Sequence, residues 1–437
     1  MKKYYQLGKK LFPLNRSITG EGVRETLKIL KKHIKDLKIK KIKSSTKVFD
    51  WKIPEEWNVK NAFLKDKYGK NIIDFKVNNL HLINYSIPQK KKIKKKNIIK
   101  HLYYLKNYPS AIPYVTSYYK RRWGFCLTYL NFKKLLKSYD EKDYFLVNIE
   151  TSLNPHGFLN YGEVFIKGQS KKEIFLSTYI CHPSMANNEL SGPLVATAIY
   201  NYFAKKKNKY SIRIIFVPET IGSIAYLSKN YKKLKKNVVA GYNLTCLGDN
   251  KNYSFLPSKY ESISNKAAIE AFNKLKLKYK TYSFLTRGSD ERQYNSPGID
   301  LPIASIMRSK YGTYKQYHTS KDDFNFVTLK GLQGGFNIIR KAVEILLRKK
   351  LNLPQKKKLS KDYPKSLVLC EPQMSKRNLY PSLGIKNARS KKVKNIMNFL
   401  QYADGTNSLK KISKLIKINL VTCNYIYTLL KKKSLVT

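Results

Sequence analysis

Four stretches of this chain, "EIFLSTYI", "SIRIIFVP", "NVVAGYNLTC" and "LPIASIM", are almost unbroken apolar runs, and nothing else in the sequence constrains the fold as strongly. A strand with one wet face alternates apolar and polar residues, whereas a strand buried on both faces does not. These runs therefore predict parallel strands covered by helices on either side. The segments between and after them supply the helices: "GPLVATAIYNYFAKK", "NKAAIEAFNKLKL" and "LKGLQGGFNIIRKAVEILLRKK" repeat apolar residues at helical spacing. The expected class is α/β, a mostly parallel mixed sheet sandwiched by helices over residues 120–350. Residues 1–45 join it through an amphipathic helix in which Val23, Leu27, Leu30 and Ile34 follow a Thr19-Gly20 start.

Three further segments are expected around this body. Residues 46–119 change to short alternating runs broken by turn residues, a β-rich insert. Within it "NAFLKDKYGKNIIDFKV" reads as a hairpin closing at Tyr68-Gly69, "NNLHLINYS" as a strand, and "QKKKIKKKNIIK" as an exposed loop entering a helix. Residues 351–389, rich in Lys and Pro, read as a linker. Residues 390–437 carry three short helical patterns, Ile396/Phe399/Leu400, Leu409/Ile412/Ile416 and Ile426/Leu429/Leu430. Together these would close one small core, a winged helix-turn-helix folding independently of the rest.

Composition narrows the function classes. A hydrophobic fraction of 42% is too high for a disordered chain, and no apolar run reaches the roughly 18 residues that span a bilayer. The N-terminus lacks the apolar core of a signal peptide, so a cytoplasmic protein is expected. Cys126, Cys181, Cys246, Cys370 and Cys423 lie far apart without CxxC spacing, which points to reduced thiols and not to a disulfide framework. The formal charge of +59 invites a nucleic-acid partner. Its cations, however, are mostly lysines spread from end to end among Asn, Ile and Tyr, the texture of a solvated lysine surface. Nucleic acid and self-association both stay open as partners.

In open α/β sheets, ligands bind beyond the carboxyl ends of the strands. His182 follows the first apolar run, Glu219 the second and Asp249 the third, while His318 lies in the loop after the fourth. Two of the six histidines fall at such ends. The segments "HPSMANNELSGP", "VPETIGS", "NLTCLGD", "RGSDERQY" followed by "GIDLP", and "YHTSKDD" occur in the order of the metal-binding loops of the zinc aminopeptidase family. That family includes bacterial leucine aminopeptidases and glutamate carboxypeptidases. More specifically, the chain resembles the aminopeptidase-like proteins associated with polysaccharide biosynthesis, which carry a β-rich insert and a C-terminal winged helix.

The resemblance implies a metal-dependent amide hydrolase. It places His182 and His318 at the two metal-binding histidines and Glu219 at the general base. It also implies departures: the bridging aspartate falls on Asn188, a second glutamate on Thr220 and a third-strand aspartate on Thr245. Without those carboxylates, two close divalent ions lose the negative charge that holds them. The expectation is one zinc per chain, held by His182, His318 and most simply Glu189, with Asn188, Asp249 and Asp290 as further ligands or supports. Arg287 and Arg292, flanking "GSDE", are candidates for holding a substrate carboxylate. The expected substrate is a small peptide or an acylamino sugar. The competing reading is a non-catalytic metal-binding or regulatory protein on a peptidase fold, with its winged helix binding nucleic acid or protein.

Overall fold

The four apolar runs become neighbouring strands at the centre of the main sheet. The computed structural model describes residues 1–353, 358–381, 383–385 and 390–437; of the expected linker, residues 354–357, 382 and 386–389 lie outside the described residues. Eight strands build the sheet: β1 (Lys38–Lys43), β2 (Phe158–Ile166), β3 (Ser170–Tyr179), β4 (Tyr210–Val217), β5 (Val238–Leu244), β6 (Ser254–Leu256), β7 (Lys280–Thr281) and β8 (Ile303–Met307). Their order is β1-β2-β4-β3-β5-β8-β6-β7. The inner four, β4-β3-β5-β8, are mutually parallel, while β2 and β6 run antiparallel to their inner neighbours.

Successive residues of β3 explain the unbroken apolar pattern. Ile174 and Leu176 enter one hydrophobic cluster, shared with the helices Glu21–Lys31, Ser191–Phe203 and Leu329–Arg348. Phe175 between them enters a second cluster, with the helix Ile221–Asn237 and the insert. Both faces are dry through Ile174–Leu176, which is why these three successive residues are all apolar.

The insert contributes Asn71–Asp74, Glu56–Lys65 and Gln89–Lys94 to a four-stranded antiparallel sheet whose third strand, Tyr144–Asn154, comes from beyond residue 119; the spatial order is Asn71–Asp74, Glu56–Lys65, Tyr144–Asn154, Gln89–Lys94. The hairpin closes as expected, with Gly69 at φ 83° and the Asp66 carboxylate accepting from the Tyr68 and Lys70 backbone N–H groups. Gln89–Lys94 is a strand and not a loop: it pairs with the Tyr144–Ile149 end of its neighbour from Gln89↔Ile149 to Lys94↔Tyr144. It sits at the sheet edge, where lysines are tolerated and discourage further pairing, which is why its composition read as a loop. Asn79–His81, expected within a strand, is a 3-10 turn capped by the Asn78 side chain.

The tail forms the helices Lys391–Tyr402, Leu409–Ile416 and Leu420–Lys432. It does not stand apart. Ile396, Phe399, Leu400 and Ile412 share one buried cluster with Leu256, Phe284, Met307 and Tyr311 of the body. No helix among the described residues is long and apolar enough to cross a membrane.

Candidate functional site

Because the inner four strands are parallel, their carboxyl ends open on one edge of the sheet, and a cleft of about 980 Å³ lies there. His182, three residues beyond β3, Glu219, two beyond β4, and His318 in the loop after β8 all line it. So do Arg287 and Arg292. Asn188, Glu189, Asp249 and Asp290 are buried behind the wall instead.

The hydrogen bonds of His182 decide which way it faces. Its Nδ1 lies 2.7 Å from Glu189 Oε2. With Glu189 ionised its carboxylate accepts, so Nδ1 carries the hydrogen, and in the neutral imidazole the lone pair is then on Nε2. That Nε2 lies 3.7 Å from Glu219 Oε2. Burial opposes charge on His182, yet the Glu189 hydrogen bond and the charges of Glu189 and Glu219 hold its pKa above the ordinary value. Burial pushes Glu189 upward as well, against the pull of His182 and Arg16. Arg16, fully buried, has Nε 3.8 Å from Glu189 Oε1 and donates to the His182 carbonyl at 3.1 Å.

Glu189 sits on a single π-helical turn, Ala186–Leu190, that runs directly into the helix Ser191–Phe203. The start of this turn is held by Asp322, whose carboxylate accepts from the backbone N–H groups of Asn187 (2.6 Å) and Asn188 (2.9 Å). Gly192 is required where the helix crosses the sheet: a Cβ there would lie 2.3 Å from Thr178 Oγ1 and 2.4 Å from the Leu244 carbonyl. Cys181, His182 and Glu189 are the one group of three among the described residues whose ligand atoms all lie within 4.8 Å of one another. Burial keeps the Cys181 thiol well above its ordinary pKa, and its sulfur accepts from the Glu219 backbone N–H at 3.1 Å.

Glu219 is aimed by a corner in the chain. Thr220 has φ 63°, uncommon for a β-branched residue. Asp290 Oδ1 accepts from its backbone N–H at 2.7 Å and from Ser223 Oγ at 2.9 Å, and Arg292 Nη2 donates to Thr220 Oγ1 at 2.6 Å. Asp290 therefore supports the corner behind Glu219. Burial and the charge of Glu219 push it up to about 8. A carboxyl raised in the folded state keeps a proton that the unfolded chain releases near pH 4, so its stabilising contribution is lost as pH rises from about 4 to about 8. Asp290→Asn is expected to weaken this decline, read as a smaller difference in urea midpoint between pH 5 and pH 8.5 than in the parent. An unchanged difference would contradict it.

Asp249 does not reach the histidines in any hydrogen bond of the structure. It ties loops together, accepting from Asn187 Nδ2 (3.0 Å) and from Ser309 N (2.9 Å) and Oγ (2.8 Å). Thr245 accepts or donates to Tyr179 OH at 2.5 Å and donates to the Asn188 carbonyl at 3.2 Å, a neutral pairing where the resemblance would place a ligand. The rings of His182 and His318 are 5.3 Å apart and tilted by 42°. Two imidazoles on one tetrahedral zinc, with Zn–N of about 2.0–2.1 Å, place their centroids roughly 5 Å apart. The observed separation is of that size, and Asn188, Thr220 and Thr245 are neutral at the positions where the resemblance implies carboxylates.

The insert and the tail complete the cleft. Tyr114 N–H donates to the His318 carbonyl at 3.0 Å, its ring lies 5.0 Å from His182 and 5.3 Å from His318, and His318 stacks on Tyr317 at 3.9 Å. Glu371, Gln373 and Met374 beyond the body, and Lys394 and Met397 of the first tail helix, form a further wall. Arg16, Tyr114, Asp322 and Glu371 were not singled out from sequence. An arginine in a chain rich in lysine was the one available signal for Arg16.

A family model described as a domain of unknown function (DUF4910) matches residues 5–349, and a winged helix-turn-helix model matches residues 362–437. The chain is 41% identical over 416 residues to a Clostridium acetobutylicum protein, provisionally named for polysaccharide biosynthesis with an aminopeptidase-like domain, covering 94% of this chain and 90% of that one. It superposes on the crystal structure of a provisionally named peptidase from Clostridium acetobutylicum with TM-score 0.76 and 36% identity, over 100% of this chain and 96% of the other. A zinc aminopeptidase from Bacillus subtilis shares the fold at 12% identity and TM-score 0.60, over 80% and 95% of the two chains.

Proposed function

Because the chain belongs to the DUF4910 family, an aminopeptidase-like fold joined here to a winged helix-turn-helix, we propose that it is an amide hydrolase with one metal ion in the cleft. The observation that carries this reading is the approach of Glu219 Oε2 to within 3.7 Å of the cleft-facing Nε2 of His182, at the carboxyl ends of parallel strands. His182 Nε2 and His318 would hold the ion, and Glu189, proposed from sequence as the third ligand, is read here as the partner that orients His182. When bound, a zinc ion supplies Lewis-acid polarisation and lowers the pKa of a coordinated water toward about 7. Glu219 takes the proton from the attacking water and can return it to the leaving nitrogen. Thr220, Asp290 and Arg292 keep the Glu219 corner in place, and Tyr114 and Tyr317 keep the two imidazoles from turning away.

The alternative place for a metal is the Cys181/His182/Glu189 group. Two features weigh against it: Arg16 brings a positive charge to Glu189, and a 2.7 Å Nδ1–Oε2 contact leaves no space for an ion between them. Metal analysis after dialysis separates the two. About one zinc per chain is expected, lost in His182→Ala and His318→Ala and retained in Cys181→Ser. Loss in Cys181→Ser with retention in His318→Ala would move the ion to the buried group, and two ions per chain would overturn the single-metal reading.

The nucleic-acid reading has less support. The exposed face of the last tail helix begins with Leu420, Val421 and Tyr425 and not with Arg or Lys, whereas recognition helices present polar and basic side chains to base edges.

A further inference from the structure

The cleft has an excess of positive charge. Lys120, Arg287, Arg292, Lys310, Lys376 and Lys394 line it against two carboxylates, Glu219 and Glu371. Some of this charge is already matched: Arg292 Nε lies 3.4 Å from Glu371 Oε2, and Lys376 Nζ lies 2.7 Å from Asp50 Oδ1. Arg287 and Lys310 are different. They are only 8% and 6% exposed, and no ion pair with a carboxylate engages either of them among the described residues.

Arg287 is held by neutral oxygens alone: the Phe284 carbonyl at 3.3 Å, Asn398 Oδ1 at 2.6 Å and the Met397 carbonyl at 2.9 Å, while its Nε has no hydrogen-bond partner. Lys310 donates to the Tyr311 carbonyl at 3.3 Å and otherwise lies over the rings of Tyr311 (4.2 Å) and Tyr282 (5.4 Å). The two cations are brought to one wall by their neighbours, since Gly288 N–H donates to Tyr311 OH at 2.8 Å. Buried Glu291, which accepts from Tyr311 OH at 2.5 Å and from Gly288 N–H at 3.0 Å, offsets part of this charge without forming an ion pair with either cation. A buried cation without a direct ion-pair partner is costly, and here the open side is the cleft, where a ligand can supply a contacting anion.

We propose that Arg287 and Lys310 form an anion subsite, and that the substrate is an acylated amino sugar or amino acid carrying a carboxylate or phosphate group. This rests on the amide-hydrolase reading for the bond that is cut, but not for binding. A planar guanidinium and an ammonium together suit either oxyanion. The lining also includes the aromatic side chains of Trp51 and Tyr380, a residue type that packs on sugar rings and acyl chains. Arg292, already committed to Thr220 and Glu371, serves the Glu219 corner and not the substrate.

Calorimetric titration of the full, metal-stripped chain at low ionic strength tests this with matched probes. N-acetylglucosamine 1-phosphate is compared with N-acetylglucosamine, and N-acetylglutamate with N-acetylglutamine. At least one anionic probe is expected to bind about 10-fold or more tightly than its neutral twin, and which arm responds identifies phosphate or carboxylate. Lys310→Met should bring that ratio close to one, and Arg287→Gln should do the same. Arg287 also ties down the tail helix, so Lys310→Met is the variant that keeps the test sound if Arg287→Gln misfolds. Equal or absent binding of both anionic probes and their twins, or a preference that survives Lys310→Met in a folded protein, would overturn the subsite. An anion preference in a protein that hydrolyses no amide probe would leave the subsite standing and defeat the hydrolase reading.

Discussion

Glu219→Gln is expected to lower turnover by about 10²–10⁴-fold, the range for loss of a general base, while zinc content stays at the parent value. Glutamine is nearly isosteric, and the backbone contacts that aim this position, Glu219 N–H to Cys181 Sγ and Thr220 N–H to Asp290, do not involve its side chain. Steady-state kinetics on aminoacyl-anilides and N-acyl amino sugars, with metal analysis of the same samples, provide the measurement. Zinc-dependent turnover that is unaffected by the substitution would refute Glu219 as the base. Zinc lost together with activity would make it a ligand.

Removing residues 391–437 is expected to destabilise the whole protein, and not merely to delete an appendage. The truncation uncovers Leu256, Phe284, Met307 and Tyr311, which share a buried cluster with Ile396, Phe399, Leu400 and Ile412. Exposing a large apolar side chain costs about 1.5–3 kcal/mol, so four of them approach the ~5–15 kcal/mol that holds a domain folded. Polar ties go as well: Arg287 loses Asn398 and Met397, the Arg292 carbonyl loses Gln401, and Tyr260 loses Asp404. Insoluble protein, or a melting temperature lowered by more than about 10 °C, is the expected result. A truncated chain that stays soluble and melts within a few degrees of the parent would show that the tail folds and functions as a separate unit, as the Lys/Pro-rich stretch before it had implied.

The α/β class was legible because burial on both faces leaves a mark on successive residues of a strand: β4 is apolar through most of its length, and in the centre of β3 Ile174, Phe175 and Leu176 point alternately into two cores. The helices of the tail were legible for the same kind of reason, a period of 3.6 in the apolar residues. Gln89–Lys94 was not, because an edge strand has few buried positions and its lysines resemble those of a loop.

For the site, the sequence by itself determined the positions of His182, Glu219 and His318: each follows a run that must be a buried strand, and parallel strands end on one edge. It also carried the expectation of a single metal, since Asn188, Thr220 and Thr245 are neutral at the positions where the resemblance implies carboxylates. Only the tertiary structure decided how those residues are used. That Glu189 meets Nδ1 of His182, leaving Nε2 for the cleft, depends on a side-chain contact that spacing along the chain does not specify. Arg16 reaches the His182 carbonyl across 166 residues, Asp290 braces Thr220 across 70, and Arg287 is anchored by Asn398 across 111. Contacts of that length leave no periodic trace, because periodicity records only which face of an element is buried and not which distant segment buries it.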